Sequence, residues 1–521
     1  MPAQASPQSL DRAYDCVVIG AGSGGLGAAS QLAAKGVRVL LLEQHNVPGG
    51  FASSFVRGRF EFETAMHLIA DAGPPTHKGG VREFLEDDLG IYLDWVEVPE
   101  AFRPILTDPG EDLDVTIPYG REEYVEAIAR AVPGSGQAVA NYADLFMEVV
   151  EALVYLGESR GNPDRRVLTS KYGNFLKTAP YTADQVAKAM KIPERAKKIL
   201  HALWVYLGPP TNRMNVTVFA GMMAMLIDFS GFLQPNRSHA FTSALEARIR
   251  ELGGDTQFRT RVDQILVEGG QVTGVVTAHG ERIATRHVVA NVAPALVYNR
   301  LLSPSSEVPE IAYKESNARR FGVSAATVYL GLDASSDKLG LDSYSYIVSA
   351  NMNTAEMYEG FGTLETPRVQ ASACLNRVLP DCSPPRTSIL AITTLYRPEA
   401  WADVKPEDYV GVNNEVAEGL IDHFERATGA PIREHIEEVE AATPMTFARY
   451  ARVHGGTIYG YEPDTWDSLI PRMMAMNDEK HIKGLEFAGG YSFRCHGYSG
   501  SFMSGQVAGL LTLQGLMDGR G

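Results

Sequence analysis

The chain has 521 residues, of which 45% are apolar and 21% charged, the balance of a folded enzyme-sized protein and not of a disordered or fibrous one. Its 47 basic and 63 acidic residues leave a net charge of −16 with no basic stripe, which argues against nucleic acid as a partner. At about 150 residues per domain, the length predicts some three domain-sized units.

Residues 1–12 are polar and lack the basic-then-apolar layout of a secretion signal. The four cysteines (Cys16, Cys374, Cys382, Cys495) form neither a disulfide framework nor a CxxC pair. A reducing, cytoplasmic setting and no metal site are expected. An apolar run, Asp15 to Ile19, reads as a buried strand. A glycine turn at 20–25, an alanine-rich helix from Leu26 to Lys35 closed by Gly36, and a second buried strand from Val37 to Leu42 follow. Phe51 to His67 reads as irregular, and residues 80–230 as mostly helical with Pro/Gly breaks. Val216 to Ile227, the longest apolar run, stops at Asp228 and is too short to span a bilayer. Strands are expected at Thr256–Thr260, Asp263–Glu268, Gln271–Thr277, His287–Ala290, Thr327–Leu332 and Ser388–Leu395, and a helix at Pro406–Gly429. Leu485 to Gly490 reads as a last buried strand, followed by a glycine turn (Gly497 to Gly505) and a helix to about Met517. The end of the chain repeats the strand–turn–helix plan of its beginning, which suggests one domain whose two ends meet around an insertion.

Gly20-Ala-Gly-Ser-Gly-Gly25 fits GxGxxG, and it stands between a strand and a helix. The first glycine permits the tight turn, the second lets a pyrophosphate approach the backbone, and the third lets helix and strand pack closely. Amide groups from Ser23 to Leu26, including that of Gly24, then face the anion at the positive end of the helix. Glu43 ends the second strand where a ribose diol would be held, and its charge would repel a 2′-phosphate, favouring FAD or NAD over NADP. Val47-Pro-Gly-Gly50 is a second close-approach turn, and no second GxGxxG occurs. One tightly bound dinucleotide is expected.

These residues, with Phe60-Glu-Phe-Glu-Thr-Ala-Met-His67, Trp204-Val-Tyr-Leu-Gly-Pro-Pro210, Thr443-Pro-Met-Thr-Phe447, Gly455-Gly-Thr-Ile-Tyr-Gly460 and Phe487-Ala-Gly489, resemble the FAD-dependent phytoene desaturase family, and within it the carotenoid cis–trans isomerase and retinol saturase branch. The resemblance covers residues 14 to 516. It implies an α/β fold: a Rossmann-type FAD domain, a doubly wound parallel sheet, carrying an inserted mixed α+β substrate domain. The FAD domain would comprise residues 14–75, 236–300 and 481–521. The substrate domain would comprise 76–235, mostly helical, and 301–480. The resemblance also implies that Gly20, Gly22 and Gly25 lie against the pyrophosphate and that Glu43 holds the adenosine ribose. Gly49 and Gly50 would pass close to the cofactor, and the Val262 amide would meet the adenine. Gly489 and Gly490 would lie beside the cofactor, and the turn of Tyr498 and Ser499 would start a helix pointing at the flavin.

Three positions depart from the family pattern: Gly490 where a polar residue is usual, Asn236-Arg-Ser-His239 in place of a glycine pair, and Ala65 in place of glycine. His67 is the candidate polar group beside the flavin, against the plainer reading of a structural histidine. Arg237 and His239 are candidates to meet a polar substrate end, against that of a solvated loop. Cys495 and His496 have no further ligand at metal spacing. Met214, Met222, Met223 and Met225, with Phe219, Trp204 and Tyr206, suit a tunnel wall or ordinary core equally. The acidic runs Glu86–Asp88 and Glu434–Glu440 read as solvated faces.

The expectation is an FAD oxidoreductase that desaturates, saturates or isomerises a hydrophobic polyene. Oxygen, a quinone or an external reductant would be its electron partner, and the apolar middle segment could meet a membrane surface. Two further readings are a dehydrogenase of a carrier-bound polyene or polyketide intermediate and a flavin-bound scaffold without turnover.

Overall fold

The computed structural model describes residues 14–65, 68–159, 162–475, 481–492 and 497–518. Strand β1 (Cys16–Ile19), helix α1 (Ser23–Ala34) and strand β2 (Val39–Leu42) form the expected opening unit. Both strands are buried along their whole length, which is why they read as unbroken apolar runs. The stretch expected to be irregular instead holds a hairpin, β3 (Ser54–Arg57) with β4 (Phe60–Glu63), turning at Gly58. Phe60 and Phe62 alternate with the exposed Glu61 as a strand should, but Glu63 breaks the burial pattern by lying buried.

The chain then supplies β5 (Arg103–Leu106), β6 (Leu113–Asp114), the long helix α2 (Gly136–Glu158), α3 (Val216–Phe229) and α4 (Arg237–Glu251). Strands β7 (Asp255–Gln257), β8 (Val262–Glu268), β9 (Gln271–Thr277) and β10 (Val288–Ala290) follow. Next come β11 (Ser324–Leu332), β12 (Ser345–Ser349), β13 (Val369–Cys374) and β14 (Ser388–Tyr396). Helix α5 (Tyr409–Thr428), β15 (Ile436–Ala442), α6 (Pro444–Ala451), α7 (Leu469–Ala475), β16 (Leu485–Phe487) and α8 (Tyr498–Asp518) complete the fold.

Five of these strands make a parallel sheet in the order β16-β10-β1-β2-β7, so the last strand of the chain lies two places from the first. This is the doubly wound α/β architecture anticipated from the sequence. A seven-stranded, mainly antiparallel sheet in the order β15-β11-β14-β13-β12-β5-β6 forms the second layer system. Helix α5 packs on one face of that sheet: Leu420, Ile421 and Phe424 share a core with Leu330, Val348 and Ile392. Its other face turns toward α2 and α3. Helix α8 begins at Tyr498, so Gly497 precedes it while Gly500 and Gly505 of the expected turn lie inside it, and Gly505 allows close packing against α1. No helix among the described residues is long and apolar enough to cross a membrane.

Candidate functional site: a glycine-lined cradle opening on an apolar chamber

The site begins at the C-terminal ends of β1, β2 and β10, where open parallel sheets place their ligands. Gly20 adopts φ +93°, a left-handed conformation that turns the chain from β1 into α1. The first hydrogen bond of α1 runs from Leu26 N–H to the Gly22 carbonyl at 2.9 Å, leaving the amides ahead of it without a partner within the helix. The Gly49 N–H donates to the Ala21 carbonyl at 2.8 Å, docking the second glycine turn on the first. Glu43 is fixed by two backbone donors, Ala21 N–H at 2.6 Å and His45 N–H at 2.7 Å.

A chamber of about 2880 Å³ runs from this cradle into the second layer. Single-ligand pockets are usually ~300–1,000 Å³, so this one has room for a dinucleotide and a second molecule end to end. Gly20, Gly22, Ser23, Gly24, Glu43, Gly49, Gly50 and Val262 line its first part. Gly489, Gly490, Tyr498 and Ser499 line it from the far end of the chain. Gly25 does not: a methyl group there would overlap the Gly20 carbonyl. Its missing side chain lets α1 seat against the turn.

Beyond the cradle the walls are apolar. Leu153 and Val154 of α2, Met222 and Met225 of α3, Met473 and Met474 of α7 and Leu510 of α8 line the chamber. The ambiguous residues of α3 therefore divide by helical face: 221, 222, 225, 226 and 229 face the chamber, while Phe219 and Met223 are wholly buried in the core. Met214 and Trp204 are also core residues, whereas Tyr206 lines the chamber. Opposite the helices, the sheet contributes Ala325, Thr327 and Tyr329 of β11 and Thr393 of β14. Thr327 and Thr393 hydroxyls bond each other at 3.0 Å, so this wall is partly self-satisfied.

Arg237 and His239 occupy the first turn of α4, not a solvated loop, and neither lines the chamber. Arg237 is 4% exposed and donates to the Cys382 carbonyl at 2.5 Å and the Glu61 carbonyl at 3.2 Å, clamping the β3–β4 hairpin. His239 Nε2 meets the Ser243 hydroxyl at 3.2 Å on the same helix. Both side chains bond protein groups. His67, Cys495 and His496 lie outside the described residues. The acidic runs are paired as well as solvated: Glu86 and Asp87 meet Lys78 at 3.1 and 2.7 Å, and Glu437 and Glu440 meet Arg59 and Arg57 at 2.6 Å each.

Three residues in or next to the site are given no role by the sequence analysis. Glu63, 9% exposed, accepts from the Ser238 N–H and hydroxyl at 2.6 Å each, capping α4 from the hairpin. Burial pushes its carboxyl up to about 7 despite those donors and the nearby Arg237 guanidinium. The Ser504 hydroxyl, in α8, receives the Gly489 N–H at 2.8 Å and fixes that turn to the helix. Asn291 follows β10 directly and lines the cradle. An asparagine after a strand belongs to no motif, which is why spacing alone missed it. Tyr498, by contrast, was legible. Its hydroxyl donates to the Phe51 carbonyl at 2.9 Å, joining the start of α8 to the second glycine turn, and burial holds its pKa well above the usual phenol value.

The fold and the cradle define a dinucleotide-binding α/β protein. Residues 18–86 match the family model described as an NAD(P)-binding Rossmann-like domain. The chain is a homologue of all-trans-retinol 13,14-reductase and prolycopene isomerase, the branch its motifs resemble. It is 23% identical to the reductase of Danio rerio, across 96% of this chain and 86% of the relative. To the chloroplastic prolycopene isomerase of Daucus carota it is 24% identical, across 87% and 72%. Among solved structures, putrescine oxidase bound to putrescine superposes with a TM-score of 0.64 at 13% identity, covering 96% of this chain and 99% of that one. A fatty acid isomerase of P. acnes gives 0.59 at 15%, covering 97% and 99%. These two structural likenesses show the shared fold.

Proposed function

We propose that the chain binds FAD and uses it to act on C–C or C=C bonds of a hydrophobic, carotenoid- or retinoid-like polyene. The observation that carries this reading is the continuity of the glycine cradle with a long apolar chamber. The cradle fits such a cofactor: helix amides and glycines would hold a diphosphate, Glu43 would accept from a ribose diol, and the chamber leaves space beyond them. The retinol reductases and prolycopene isomerases among its relatives bear names of polyene chemistry.

In this reading residues 14–75, 236–300 and 481–521 carry the cofactor, and 76–235 and 301–480 shape the chamber. FAD, when bound, supplies the capacity to accept or give two electrons at a carbon–carbon bond. The protein's part is to hold the substrate and exclude water. The α2, α3 and α7 side chains exclude water from the chamber, and their methionines adapt to a flexible chain. The start of α8 presents helix amides to the cradle, a placement that stabilises negative charge there. His67 is assigned the polar role beside the cofactor. Oxygen, a quinone or an external reductant would close the redox cycle.

The test is flavin retention and turnover. Purified protein should carry flavin absorbance through gel filtration. Glu43→Ala should lose FAD, whereas His67→Ala should keep it and slow turnover. A chain that refuses added FAD contradicts the reading.

A further inference from the structure

We infer that Asn291 is a cofactor-binding residue, its carboxamide aimed at the dinucleotide from the point where the three glycine segments converge. The inference deepens the reading above and rests on it. Asn291 sits directly after β10, and its backbone N–H bonds the Ile19 carbonyl at 2.9 Å, fixing it to the end of β1. The side chain is half-buried and lines the cradle, yet no described residue hydrogen-bonds its amide. A carboxamide offers two donors and an acceptor, and one half-buried at a ligand site without protein partners is available to a ligand.

The glycines around it are shaped by this group. A methyl built on Gly22 would stand 2.9 Å from Asn291 Nδ2, with its next neighbour, the Gly49 carbonyl oxygen, at 4.0 Å. One on Gly24 would meet Asn291 Oδ1 at 2.8 Å and also the Gly489 backbone N at 2.5 Å. One on Gly489 would overlap Asn291 Oδ1. Gly22, conventionally read as the position where pyrophosphate approaches the backbone, is thus also the position that leaves room for the Asn291 amide. Its φ of −72° is ordinary, so steric room and not backbone conformation is what a substitution there removes.

A double-mutant cycle separates these roles. FAD affinity is measured by titrating apoprotein, with thermal unfolding of the apoproteins as the check on folding. Asn291→Ala should weaken FAD binding by roughly ten-fold, the loss of a well-made hydrogen bond. Gly22→Ala should push the amide aside and weaken binding comparably, and the double variant should be no worse than either single one. Gly24→Ala, which also meets the Gly489 backbone, should add its own loss to that of Asn291→Ala. Asn291→Ser serves if Asn291→Ala does not fold. Wild-type affinity in the Asn291 variants, or fully additive losses for Gly22→Ala and Asn291→Ala, overturns the assignment while leaving the proposed function standing. Failure of the unmodified chain to bind FAD overturns both.

Discussion

Glu63 and Glu43 are both carboxylates that accept two hydrogen bonds, but their surroundings set them to different work. Glu43 lies at the open cradle, whereas Glu63 is enclosed between the hairpin and the start of α4. With its carboxyl raised from 4.5 to about 7 by burial, Glu63 binds its proton more tightly folded than unfolded. Its contribution to stability is therefore full below the unfolded value and is lost as the pH rises through the folded one. Relative to Glu63→Gln, the wild type should lose stability between these pH values by at most about 3 kcal/mol. Denaturant unfolding across that range checks it, and parallel curves for the two proteins would refute it. Glu43 was legible because a motif fixes its distance from GxGxxG. Glu63 was not, since alternation in Phe60-Glu-Phe-Glu63 marks it as an outward-facing residue. Asn291 was silent for a different reason: its importance comes from segments far apart in sequence meeting around it.

Helices α1 and α8 show the same division at the level of elements. Both ends of the chain were readable because buried parallel strands are apolar runs and helices after glycine turns have recognisable composition. The start of α8 was misjudged because glycines in sequence signal a turn. Here Gly505 lies within α8 on the face that meets α1: a methyl at Gly505 would overlap the Gly24 carbonyl, and one at Gly27 would stand 2.5 Å from the Phe502 carbonyl oxygen. Backbone meets backbone, so neither partner can yield by changing rotamer. Gly505→Ala should lower stability by about 1–3 kcal/mol and weaken FAD retention, because the displaced α1 carries the cradle amides. A lowered melting temperature with unchanged FAD affinity would separate the helix contact from the cradle.

At the scale of the molecule, the chamber could not be told from a core in the sequence. The chamber-facing and core-facing sides of α3 are equally apolar, and only the fold shows that one side has no protein against it. Gly221 offers a direct probe. A methyl there would meet only the Leu469 Cδ1 atom, at 3.9 Å, and Gly221 lines the chamber, so a side chain added there starts in open space at the chamber wall. Gly221→Phe should leave the melting temperature and flavin content unchanged while cutting kcat/KM for long substrates by roughly ten-fold or more, since one blocked position removes several apolar contacts. Equal activity on long and short substrates would place the substrate elsewhere.

The central claim, that cradle and chamber together bring flavin to a polyene, is tested most directly by anaerobic mixing. FAD-loaded enzyme, oxidised and chemically reduced in parallel, is mixed with a panel of carotenoid- and retinoid-like polyenes while the flavin and polyene bands are followed. The account predicts that at least one polyene bleaches the oxidised flavin or is itself converted by the reduced enzyme. A flavin-replete protein that leaves every polyene unchanged in both redox states would contradict it.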